Sequence, residues 1–124
     1  MDAILADTNI WCKYFRYGNP LLSQLIENDF LAIHPVVIGE LAVGNLKHRE
    51  QTILDLQAFP MVQAASDEET HFLLREHGLW GRGIQWNDLL ILAAVIASPG
   101  KLLWTQDKRL AEIARRFSVS YDPS

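Results

Sequence analysis

The sequence predicts an α/β fold built on a mainly parallel sheet, and three observations carry that expectation. Short apolar runs alternate with helical patterns, each run is bounded by a cap or turn signal, and no repeat, low-complexity tract or linker interrupts the order. With 124 residues, 49% of them hydrophobic and 10% aromatic, the chain has the size and apolar content of a single domain spanning residues 1–124.

The first strand is expected over Asp2–Ala6, an apolar run that ends at Asp7, and a helix over Asn9–Tyr17 follows it. Pro20 opens a helix to Asn28 and Pro35 opens one to Asn45, because a first-turn residue has no use for the amide hydrogen that proline lacks. Between them Phe30–His34 reads as the second strand. A helix over Arg49–Ala58 leads to a third strand at Met61–Ala64. Ser66 with Glu69 three residues on forms a capping-box pattern for a helix over Asp67–His77, which Gly78 stops. Asn87–Ser98 is apolar nearly all round and is therefore expected to be a central, buried helix. Lys101–Thr105 is the fourth strand, Lys108–Phe117 the last helix and Ser118–Tyr121 the fifth strand.

Composition narrows the function classes. Cys12 is the only cysteine, so neither an internal disulfide nor a cysteine-based zinc site can form, and a reducing compartment is expected. The start, Met1-Asp2-Ala3-Ile4-Leu5, lacks the basic opening and long apolar core of a signal peptide, and Leu89–Ala97 is far short of the roughly 20 residues that span a bilayer. A soluble cytoplasmic protein with no membrane partner is the expectation. The net charge of −4 argues against a non-specific nucleic-acid coat. It does not exclude a metallonuclease: with four of the fifteen acids assigned to a metal, eleven remain against eleven Lys and Arg, and a divalent cation reverses the local sign that a phosphate meets.

Four acids stand where chemistry is expected. Asp7 and Asp107 each follow an apolar strand and precede a helix, at the carboxyl rim where open α/β sheets bind ligands. Glu40 lies inside a helix among Ile38, Leu41 and Val43, and Asp88 opens the most apolar helix of the chain. Burying such carboxylates unpaired is costly, so they call for protons, cations or donors. Carboxylates brought together repel and take up protons unless a hard, oxygen-preferring cation such as Mg²⁺ or Mn²⁺ neutralises them. A site of that kind can activate water against phosphorus, which is phosphodiester hydrolysis.

The ordered set is more specific than its parts. Asp7-Thr8-Asn9, Glu40 within His34-Pro-Val-Val-Ile-Gly-Glu-Leu-Ala, Asp88 after Gly81-Arg82-Gly83-Ile84-Gln85-Trp86-Asn87, and Asp107 within Thr105-Gln106-Asp107-Lys108 together resemble the PIN-domain toxins of the VapC family across almost the whole chain. The resemblance implies a three-layer α/β/α domain with a parallel five-stranded sheet. It implies that Asp7, Glu40, Asp88 and Asp107 hold Mg²⁺ and cleave single-stranded or loop RNA to leave a 5′-phosphate. It further implies a homodimer and a VapB-like antitoxin that blocks the site. Thr8, Asn9 and Thr105 match polar positions beside the acids, where they would orient ligands or water.

Plainer readings stand beside these. Asp7, Asp88 and Asp107 fall near helix starts, where capping and the helix dipole alone favour an acid. Capping does not explain Glu40. Asp67, Glu68 and Glu69 belong to a first helical turn and are left out of the site, and the four histidines show no metal spacing. Lys13, Arg16, Arg115 and Arg116 read as solvated helix faces, whereas Arg82, Lys108 and Arg109 are the candidates for phosphate contact. A receiver-type domain is excluded by its missing lysine and phospho-accepting aspartate. The remaining alternatives are a PIN-like interaction module without catalysis and a general RNA-processing nuclease.

Overall fold

The computed structural model describes residues 3–123; Asp2, the expected start of the first strand, lies outside the described residues. The first strand, β1 (Ala3–Ala6), is buried at Ile4, Leu5 and Ala6 in succession. A strand buried at consecutive residues must be covered on both faces, as in a parallel sheet flanked by helices. β1 pairs in parallel with β2 (Leu31–Ala32) on one side, Ile4 opposite Leu31, and with β3 (Lys101–Trp104) on the other, Ala6 opposite Trp104. The order β2-β1-β3 means that the chain leaves β1 for one edge and crosses back to the other. The reversal at β1 creates a crevice at the carboxyl ends of β1 and β3.

Among the described residues three strands form the sheet where five were expected. The expected third and fifth strands survive as single parallel bridges, Ile33 with Met61 and Leu103 with Ser120. The first is cut short because Pro35 begins a helix and His34 caps it, so beyond β2 only Ile33 remains to exchange hydrogen bonds with Pro60 and Val62. At the other edge, Leu103 alone bridges to the last segment, its amide donating to the Val119 carbonyl and its carbonyl accepting from the Tyr121 amide, before the chain reaches Pro123.

Seven helices complete the described residues: α1 (Thr8–Tyr17), α2 (Pro20–Glu27), α3 (Pro35–Ala42), α4 (Arg49–Gln57), α5 (Asp67–Glu76), α6 (Trp86–Ala97) and α7 (Lys108–Arg116). Their starts are chemically capped. Asn19 accepts from the Leu22 amide at 3.1 Å, and Ser66 and Glu69 close a reciprocal box with both bonds at 3.0 Å. The buried His34 caps α3 by accepting from the Val36 amide at 2.9 Å, and burial pushes its imidazole down toward the neutral form that can accept. Gly78 takes a φ of +60° after α5, and Leu79 then donates back to Leu74, so the helix ends in a left-handed turn. Within α6, Leu89 and Ile91–Val95 are buried, as the all-apolar sequence requires. Trp11 and Trp104 also join the core, while Trp80 is exposed. None of the described helices is long and apolar enough to cross a membrane.

Candidate active site

The crevice at the carboxyl rim is a cleft of about 560 Å³ whose walls include Asp7, Glu40, Asp88 and Asp107. The four arrive from four elements. Asp7 ends β1 and caps α1, Glu40 stands on α3, Asp88 lies in the first turn of α6, and Asp107 caps α7 after β3.

Asp7 is the deepest, at 5% exposure. One carboxylate oxygen accepts from the Thr8 amide at 2.8 Å and the other from the Thr105 hydroxyl at 2.8 Å. Burial pushes its carboxyl above the usual aspartate range; those two hydrogen bonds pull it back, and the negative charges of Asp88 and Glu40 push it further up. Asp88 behaves in the same way. Its half-buried carboxyl is raised first by desolvation, lowered by the Gln85 amide that donates at 2.9 Å, and raised again by Asp107 and Glu40. These carboxylates therefore stand close enough to feel one another.

Thr8 and Thr105 hold the set together. The Thr8 hydroxyl donates to Glu40 Oε1 at 2.8 Å while its amide serves Asp7, so one residue orients two acids. Thr105 Oγ1 donates to Asp7 and accepts from the Asp107 amide at 3.1 Å. Asn9 Oδ1 receives the Gln106 amide at a long 3.4 Å, linking α1 to the turn before α7. Asp107 Oδ1 accepts from the Arg109 and Leu110 amides at 2.9 and 3.1 Å, which is an N-cap. Among the described residues, Glu40 Oε2, Asp88 Oδ1 and Asp107 Oδ2 accept no protein hydrogen bond and remain for other partners. Glu40 itself is half-buried, and Val43, three residues further on at the end of the helix, is 90% exposed, so the apolar neighbours of Glu40 in sequence do not enclose it.

The cations are arranged differently from the sequence expectation. Arg82, Lys108 and Arg109 stand outside the lining of the cleft, whereas Lys13 and Arg16 on α1 form part of it. Arg109 lies instead across Gly83: a methyl group on Gly83 would fall 2.7 Å from its Cδ and 2.9 Å from its Cζ. Gly83 also takes a φ of +80°, so both its backbone and its lack of a side chain are used here. The spacing of Asn9, Lys13 and Arg16, four and then three residues apart on a helix capped by Asp7, is the signal that places these cations on the acid side.

Hard, anionic oxygen donors from four elements match a divalent cation such as Mg²⁺ in chemistry. As the side chains stand, no three His, Cys, Asp or Glu residues among those described are drawn tightly enough together to cage one ion. Mg²⁺ in general keeps several of its waters and takes one or two carboxylates directly.

Fold and site together define a parallel α/β domain with an acid-lined cleft at the switch point of its sheet. The PIN domain family model matches residues 4–116, and the chain belongs to the PIN-domain family. Its relatives include the proteins named Ribonuclease VapC32 from Mycobacterium tuberculosis strains CDC 1551 / Oshkosh and ATCC 25618 / H37Rv. Each is 40% identical over 121 residues, which covers 94% of this chain and 94% of the relative.

Proposed function

We propose that this protein is a VapC-like toxin, an endoribonuclease that hydrolyses RNA phosphodiester bonds with the aid of Mg²⁺ or Mn²⁺ and is restrained by a VapB-like antitoxin. The observation that carries this reading is the convergence of Asp7, Glu40, Asp88 and Asp107 on one cleft, with Asp7 almost wholly buried. The relatives named as ribonucleases support it. With the acid set whole, a PIN-like module that has lost catalysis is not favoured.

Asp7, Glu40, Asp88 and Asp107 would hold the cation. Bound there, it supplies Lewis acidity toward the phosphoryl group and lowers the pKa of a water molecule. The chain's own contribution is pre-organisation. Thr105 and the Thr8 amide fix both oxygens of Asp7, the Thr8 hydroxyl fixes Glu40, and the Gln85 amide fixes Asp88. The raised carboxyls of Asp7 and Asp88 mean that the folded protein holds negative charge at a cost, which a divalent cation relieves. In this reading the protein acts in the cytoplasm as a homodimer.

The test is cleavage of a single-stranded RNA oligonucleotide with Mg²⁺, with EDTA, and by Asp7→Asn. Cleavage with Mg²⁺ that stops in the other two arms, leaving 5′-phosphate ends, is expected. If Asp7→Asn cuts as fast as the parent, the assignment of the site fails. Light scattering reads the dimer, and growth arrest relieved by co-expression of a neighbouring small DNA-binding protein reads the toxin–antitoxin pairing.

A further inference from the structure

We propose that Lys13 and Arg16 form a phosphate track along α1, which leads the substrate strand out of the acid cleft; the proposal rests on the ribonuclease reading above. Both residues are exposed and line the same cleft as the four acids. Neither has a carboxylate partner: among the described residues the one ion pair joins Arg115 to Asp122, far along the chain. Arg16 contacts instead the ring of Tyr17, its guanidinium carbon 5.9 Å from the ring centre, which leaves its donors for an anion.

Geometry gives the track a direction. Asp7 caps α1, and at 1.5 Å of rise per residue Lys13 and Arg16 lie roughly 9 and 13 Å further along the helix axis. Arg16 also borders a second cavity of about 500 Å³, which shares Cys12 and Glu40 with the first and runs on toward Lys47 and His48. The groove therefore passes from the four acids, by way of Glu40, to an end where Arg16 and Lys47 are the charged residues. A polyanion is repelled at the first end unless cations neutralise it, and attracted at the second. That polarity fits a nucleic-acid strand with one phosphate at the acids and neighbouring phosphates on α1, because phosphate contacts fix register and orientation without reading sequence.

The experiment uses full-length Asp7→Asn protein, expected on the ribonuclease reading not to cut its substrate, and measures binding of two single-stranded RNA oligonucleotides of unrelated sequence by fluorescence anisotropy across a salt series. Each phosphate contact to a single strand contributes about 0.7 to the slope of log affinity against log salt. Adding Lys13→Gln and Arg16→Gln is expected to lower that slope by about 1.4 and to weaken both RNAs alike. Lys13→Arg with Arg16→Lys restores the slope, and Arg75→Gln, on α5, leaves it unchanged. A slope and affinity untouched by the double substitution would overturn the track, and would be the result if an acidic polypeptide rather than RNA used these cations. Normal cleavage by the parent with an unchanged slope sinks the track alone. No cleavage by the parent, with a slope that still depends on the two cations, sinks the nuclease reading and leaves the track standing.

Discussion

The β1–α1 and β3–α7 junctions share one local design and end in different electrostatic states. Each places an aspartate directly after a parallel strand or one short turn beyond it, each aspartate caps the following helix, and the Thr105 hydroxyl touches both. Asp7 nonetheless follows the central strand, which has β2 and β3 on its two sides, and is nearly fully buried, with both oxygens taken and its carboxyl raised by burial. Asp107, a short turn beyond an outer strand, is half-exposed and spends one oxygen on a cap. The lesson is that a strand-to-helix aspartate becomes an electrostatically loaded group through its depth in the sheet, not through its local motif.

The largest expected effect tests that difference directly. Asp7→Asn should slow RNA cleavage on the order of 10³-fold, the kinetic equivalent of losing several kcal/mol of charge stabilisation at a buried site. Asp107→Asn keeps the cap and removes charge where water already screens it, so its loss should be on the order of tenfold smaller. Equal losses in a single-turnover assay would break the comparison.

Thr105→Val sharpens it from the shared side. The substitution removes the donor to Asp7 and the acceptor for the Asp107 amide, and should cost about 10- to 100-fold in metal affinity or cleavage. Calorimetric titration with Mn²⁺ separates the two.

Stability in EDTA should move in opposite directions at the two junctions. Asp107→Ala loses a helix cap and should destabilise by about 1 kcal/mol in a denaturant titration. Asp7→Asn keeps an acceptor for the Thr8 amide and removes a carboxylate that the fold pushes toward its protonated form, so near neutral pH it should raise the melting temperature.

The smallest effect is the pH dependence of that gain. Because the folded Asp7 carboxyl titrates above its ordinary value of 3.8, the fold favours the protonated form. Its contribution to stability is full below 3.8 and is lost as pH rises through the raised value. In EDTA the advantage of Asp7→Asn should therefore vanish in acid and grow with pH across that window, with Asp88 drawing both proteins the same way. An advantage that shrinks as pH rises would contradict the assignment of Asp7 as the loaded group.

Much of the architecture was legible from local pattern alone. The helix starts at Pro20, Pro35 and Ser66, the stop at Gly78 and the buried α6 follow from backbone and capping chemistry that acts within a few residues. The positions of Asp7 and Asp107 at strand ends follow in the same way. Strand length did not, because a ladder exists only as long as its neighbour does, and Pro35 ends β2 before Met61–Ala64 can find more than Ile33. The cations were equally hidden: Lys13 and Arg16 show helical spacing in any reading, but only packing decides whether that face meets solvent or a cleft. By itself the sequence determined which residues carry charge and where the local elements begin. The tertiary structure alone decided how deep each charge lies and which charges share a cavity, because desolvation and Coulomb repulsion depend on distances between residues remote along the chain.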